Sequence, residues 1–182
     1  LNSGEGELAN AAVVDVANGF AYVGTMNSPA KIVKIDISSV TTIVRLGTAS
    51  GQTLTVNDNL TLGDGTNPAS VNAGVFNPDI DVNGNVTINA NAEFTASSSG
   101  AFSVAGNWSN SGIFSNNSET VAFDGAGTQT LNSSGAGFYK ITHSGSGTLQ
   151  LTTNALTVSN SFTNSAGTFD LNGKNWTMTG AT

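Results

Sequence analysis

Asp79, Asp81, Asn83 and Asn85 put side-chain oxygens at alternate positions around Gly84, the order in which an EF-hand loop begins its Ca²⁺ cage. The frame then breaks: its twelfth position is Ala90, where the cage takes a bidentate carboxylate, and Ile80 and Val82 read as inward strand residues. These four residues are the metal candidate of the sequence, set against the expectation of a solvated strand edge, and no cofactor is expected. His143 is the single histidine, and there is no cysteine. No spacing supplies His143 with the Ser and Asp partners of a relay, so it is expected at the surface and the serines in turns.

Parallel β-helix enzymes that cut polysaccharides bring carboxylates from adjacent turns onto one face, because acid–base chemistry needs them convergent. With the repeats of this chain aligned, the positions equivalent to Asp58 are Gly84, Gly106, Ser133 and Asn160, and those equivalent to Asp64 are Ala90, Gly112, Tyr139 and Ala166. No acidic column results, and the chain is expected to have no catalytic activity. Asn-X-Ser/Thr phrases at Asn59, Asn85, Asn107, Asn116 and Asn175 are glycan acceptors only in a eukaryotic secretory pathway.

A repeat must position all of these residues. Leu54-Thr55-Val56, Ile80-Asp81-Val82, Phe102-Ser103-Val104, Gln129-Thr130-Leu131 and Leu156-Thr157-Val158 share one phrase, and their third residues stand 26, 22, 27 and 27 positions apart. That is the length of a solenoid turn. Strands alternate their faces, so Val56, Val82, Val104, Leu131 and Val158 form one expected inward column. Leu54, Ile80, Phe102 and Leu156 form another, interrupted at Gln129. Leu60, Val86, Trp108 and Phe162 recur four residues beyond the first column, with Gly135 as the exception. Asn57 with Asn83, and Asn59 with Asn85 and Asn107, fall at corners, where stacked amides bond from turn to turn. Asn83-Gly84, Ser111-Gly112, Asp124-Gly125 and Asn172-Gly173 are expected turns with positive φ. An antiparallel sandwich would share the alternation but not the matched columns.

Residues 1–50 lack this phrase, and the composition shifts between Gly47 and Gly51. Ala11 to Val16 and Phe20 to Thr25 flank Asn18-Gly19, a hairpin signal, and Lys31 to Ile37 alternates as a further strand. The expected fold is all-β: a parallel β-helix, or β-solenoid, of about five rungs over residues 51–182, preceded by a small antiparallel β unit over 1–50 that acts as its cap. Phe20-Ala21-Tyr22-Val23-Gly24-Thr25 followed by Ser28-Pro29-Ala30-Lys31-Ile32-Val33-Lys34-Ile35-Asp36 resembles one blade of repetitive bacterial β-propellers. Gly106-Asn107-Trp108-Ser109-Asn110-Ser111-Gly112, Gly127 to Leu131 and Phe169 to Lys174 resemble phrases of long bacterial surface proteins with parallel β-helix repeats. That second resemblance implies a secreted or surface-displayed adhesin-type protein.

Only 9% of residues are charged, against roughly 25% in an average soluble domain, so the outer wall must be built from amides and hydroxyls. The net charge of -7 and the scattered Lys31, Lys34, Arg45, Lys140 and Lys174 oppose nucleic-acid binding. No apolar run approaches the roughly 20 residues of a membrane span, so no membrane insertion is expected. Leu1 does not open a signal-peptide pattern, and the chain is read as a processed piece of a longer precursor. The expected role is extracellular: a structural or adhesive module of the cell surface that self-associates through strand edges or solenoid ends, head to tail into filaments. A glycan or another cell-surface ligand is the alternative partner. Ice binding through Thr53 and Thr55 with Thr128 and Thr130, and then polysaccharide degradation, follow behind it.

Overall fold

The computed structural model of the protein describes residues 14–17, 20–24, 32–36 and 43–180. β1 (Val14–Ala17), β2 (Phe20–Gly24) and β3 (Ile32–Asp36) form an antiparallel sheet in chain order. Ala17 pairs with Phe20, as strands on either side of a two-residue link should. The Asn18-Gly19 link lies outside the described residues.

From residue 43 the chain coils as a parallel β-solenoid of about five turns, and no helix occurs among the described residues. β4 (Ile43–Arg45), β5 (Thr53–Val56) and β6 (Leu60–Leu62) make the first turn, and β7 (Ala69–Asn72), β8 (Asp79–Val82) and β9 (Val86–Ile88) the second. β10 (Ala92–Thr95), β11 (Phe102–Val104) and β12 (Trp108–Asn110) follow, then β13 (Ile113–Ser115), β14 (Thr120–Phe123) and β15 (Thr128–Asn132). The coil closes with β16 (Phe138–His143), β17 (Thr148–Leu151), β18 (Leu156–Asn164), β19 (Thr168–Asp170) and β20 (Trp176–Met178). Equivalent strands stack into three parallel sheets, β4-β7-β10-β13, β5-β8-β11-β14-β16-β18-β20 and β6-β9-β12-β15-β17-β19. Because β4 pairs with β7, the stack takes in residues before Gly47. The backbone of β1 comes alongside β6, the edge strand of the third sheet.

The first three expected segments stack as read: Ile80 pairs with Leu54 on one side and Phe102 on the other, as Val82 does with Val56 and Val104. The fourth does not. Phe102 and Val104 pair with Val121 and Phe123, which in turn pair with Ile141 and His143, and these with Phe162 and Asn164. From Val56 through Val82, Val104, Phe123 and His143 to Asn164, the steps are 26, 22, 19, 20 and 21 residues. Gln129-Thr130-Leu131 lies in the next sheet, where Leu131 continues the column Leu60, Val86, Trp108 and takes the place read as Gly135. Leu156 and Val158 face Trp176 and Met178 in the first half of β18, outside the valine column. The physical reason is that alternation is the same in every strand. Once a turn shortens to 19 residues, a matching phrase can land one sheet further round.

Trp108, 1% exposed, is the centre of the core, with ring centroids of Phe114 at 4.9 Å, Phe138 at 5.2 Å, Phe102 at 5.7 Å and Phe123 at 6.4 Å. Each such ring, once buried, contributes roughly 1.5–3 kcal/mol, and each edge contact up to about 1.5 more. At the corner after β8 a Cβ on Gly84 would lie 2.4 Å from the Asp58 carbonyl oxygen, so glycine is required by close approach. Gly84, Gly112 and Gly125 do not take the positive φ expected of them, whereas Gly173 does, at +70°.

The register is tested by charge. Val104 is fully buried and Ser109 points outward beside Thr87 and Asn132. Val104→Asp should cost more than about 3 kcal/mol in urea denaturation, because it buries an unpaired carboxylate, and Ser109→Asp about 0.5 kcal/mol.

Candidate functional site

Asp79 and Asp81 sit on one outward line of β8, and their oxygens are used between turns. Asp79 Oδ1 accepts the Ala101 N–H at 2.7 Å, and Asp81 Oδ1 the Ser103 hydroxyl at 2.8 Å. Asn83 donates to Asn57 Oδ1 at 3.4 Å. Asn85 donates from both its backbone and its amide to Asn59 Oδ1 at 2.8 Å, and its own Oδ1 accepts the Asn107 N–H at 2.7 Å. These four residues therefore run along a strand and around a corner as part of an inter-turn ladder, not around a common centre. Among the described residues no three His, Cys, Asp or Glu side chains gather as a metal site. Asp64 caps its own turn: the backbone N–H groups of Asn67 and Thr66, then the Asn67 amide, hold its carboxyl down at about 2.

The polar groups that sequence reasoning missed face inward. Gln129, 1% exposed, spans the corner between two sheets, donating to the Val104 and Gly106 carbonyls at 2.8 and 2.7 Å and accepting the Gly125 N–H at 2.9 Å. His143 is fully buried, contrary to its expected surface position, because Ile141-Thr142-His143 stacks in register on Val121-Ala122-Phe123. Its Nδ1 lies 2.6 Å from Asn164 Oδ1, while Nε2 has no partner. The matching alternation of those two triplets was the signal available in the sequence. Glu119 is also buried, with Oε2 unpartnered.

On the outer wall, Thr53 and Thr55 belong to the second sheet and Thr128 and Thr130 to the third, so the two Thr-X-Thr pairs do not share a face. Thr128, Thr148 and Thr168 align as one column, beside Thr130, Gln150 and Asp170. The Gln150 amide donates to Asp170 Oδ2 at 2.7 Å.

The two ends of the coil differ. Leu54, Val56, Leu60 and Leu62 of the first turn are 3–7% exposed, whereas Leu171, Trp176 and Met178 are each 37% exposed. Trp176 stands on Phe162 and Phe169, at 5.1 and 6.0 Å between centroids, and β19 and β20 are the edge strands of their sheets. Of the two tryptophans, Trp108 is core and Trp176 belongs to this apolar end. Comparison of the chain with protein-family models, curated proteins and solved structures finds no match.

Gln129 supplies a test of the inner polar wall. Gln129→Leu keeps the bulk of the side chain but strands the Gly125 N–H and the Gly106 carbonyl, the Val104 carbonyl keeping the Asp124 N–H at 3.1 Å, and should cost about 2 kcal/mol in chemical denaturation. An unchanged midpoint would show that water satisfies those groups instead.

Proposed function

We propose that this chain is a non-enzymatic structural or adhesive module of an extracellular, bacterial surface protein, and that it self-associates through strand edges or ends of its solenoid. The observation that supports this reading is an apolar cluster beside strand edges: Leu171, Trp176 and Met178 are 37% exposed next to β19 and β20, the edge strands of their sheets among the described residues, while apolar residues of the first turn are at most 7% exposed. An edge strand presents unpaired N–H and C=O groups, and apolar side chains next to it reward any strand that pairs there. Contact through that surface gives pairs, and head-to-tail filaments require the first turn to be uncovered as well. The wall supports a surface role, being built from Thr, Asn and Ser with 9% charged residues overall.

Analytical ultracentrifugation with electron microscopy over a concentration series tests this reading. The protein should associate as concentration rises, and Trp176→Asp with Met178→Asp should weaken association at least about tenfold, since a charge in an apolar contact is left unpaired. A wild-type chain that stays monomeric throughout would overturn it and direct attention to glycan screens of the lateral faces.

A further inference from the structure

Glu119 occupies a position where the fold calls for an apolar residue. In β14 the inward residues are Val121 and Phe123, and Glu119 continues that line, at 3% exposure, where the chain enters the second sheet. One carboxylate oxygen accepts the Thr120 N–H at 2.9 Å, and the other, Oε2, has no partner. A buried carboxyl with half its acceptors unused is far more stable neutral than charged.

The groups around it offer no compensating cation. Asp79 of β8, on the outward side of the wall, adds a charge of the same sign. Ser97, buried in the loop before β11, is neutral; its hydroxyl accepts the Gly100 N–H at 3.1 Å, lies 3.4 Å from Asn77 Oδ1, and contributes a minor side-chain hydrogen bond toward the Glu119 carboxyl. From β16 it is the Lys140 backbone N–H that meets the Glu119 carbonyl, at 3.3 Å, while the Lys140 ammonium lies 5.5 Å from the centroid of the Tyr139 ring.

The turn that delivers Glu119 is held under tension. Asn117 and Ser118 both take positive φ, 45° and 65°, a conformation that side chains with a Cβ disfavour and that is seldom used twice in succession. The turn is pinned from three sides: Asn117 donates to the Ala96 carbonyl at 3.0 Å, Asn116 to the Gly137 carbonyl at 3.0 Å, and the Glu119 N–H to the Asn116 carbonyl at 2.8 Å.

We propose that Glu119 is a proton-operated latch: protonated, it keeps the β13–β14 turn closed against the turns of the coil before and after it, and on losing its proton it releases that turn toward solvent. Burial is the chief cause pushing its carboxyl up to about 7; the Thr120 N–H opposes the shift, the Asp79 charge adds to it, and the Ser97 side chain opposes it least. Between the ordinary value of 4.5 and about 7 the folded chain holds a proton that the unfolded chain has shed. The latch therefore contributes fully at pH below 4.5, loses its contribution as pH rises toward 7, and adds nothing above that.

Thermal melting from pH 4 to pH 9 of the full chain and of Glu119→Gln, a neutral isostere, reads the latch as a difference, with Asp124 and all other titrating groups common to both. The two melting temperatures should coincide in acid, and the variant should melt higher than wild type above neutrality. Parallel profiles would overturn the proposal. Hydrogen exchange on the wild type is independent of whether the variant folds. The Thr120 and Lys140 amides should lose protection roughly tenfold or more between pH 5 and pH 8, after correction for intrinsic rates, while amides of β8 and β11 keep theirs. Uniform protection at both pH values, or a Glu119 carboxyl carbon titrating near 4.5 by NMR, would equally overturn it.

Discussion

Everything in this solenoid depends on one constraint: a residue of one turn must lie directly on its equivalent in the next, about 4.8 Å away, so that parallel backbones can hydrogen-bond. Inward columns are the consequence, since a side chain pointing in is always covered by the one above. Val56, Val82 and Val104 show the simplest case. The same spacing governs the corners, where Gly84 is needed because Asp58 passes directly beneath it, and the ladder Asn59, Asn85, Asn107, where each amide finds its partner one turn away. A fold of this kind stores its stability in repeats of a local contact, turn on turn.

That constraint also explains what the sequence disclosed. The fold class, the first three turns and the Asn ladder were legible, because each turn there keeps its strands in the same order and its columns are apolar or amide throughout. The hairpin-like strands near Asn18-Gly19 were legible for a different reason, a two-residue link between alternating runs. Legibility failed at the fourth turn. Val121-Ala122-Phe123 and Gln129-Thr130-Leu131 carry the same inward-outward-inward pattern, and alternation states which face a residue takes without stating which sheet it joins. His143 was misplaced for a related reason: a histidine suggests a surface, but its column is set by Phe123. The calcium candidate was legible only as a string of residue types. An extended strand spreads Asp79 and Asp81 along a wall, where an EF-hand would fold them around a point.

The buried polar groups cluster where the coil changes its cross-section. The first sheet ends at β13, and the part of the coil beyond it turns through the short segment 133–137 in place of a strand of that sheet. Backbone groups that a further strand would have satisfied fall to side chains. Asn110 donates to the Ser133 carbonyl at 3.1 Å and Asn116 to Gly137, while Gln129 takes two carbonyls and an N–H at the opposite corner. Polar residues at these positions are thus the means by which a three-sided coil narrows, and their cost is offset by the backbone they bond: the Gly106 and Gly137 carbonyls and the Gly125 N–H gain a partner, and the Ser133 and Val104 carbonyls, which already accept the Ala136 and Asp124 N–H groups, gain a second. Glu119 and His143 belong to the same region but are each satisfied on one side only.

From this the distribution of recognition surface follows. Along the wall, the outward Asp79, Asp81, Asn85 and Gln150 are already bonded to the neighbouring turn, so the donors and acceptors that a ligand would seek there are engaged in holding the coil together. Among the described residues β19 and β20 are the last strands of their sheets, and Trp176 and Met178 of β20 are 37% exposed there. On the self-association proposed above, a partner presenting a strand of alternating apolar residues would meet those side chains with the geometry the coil already uses inside.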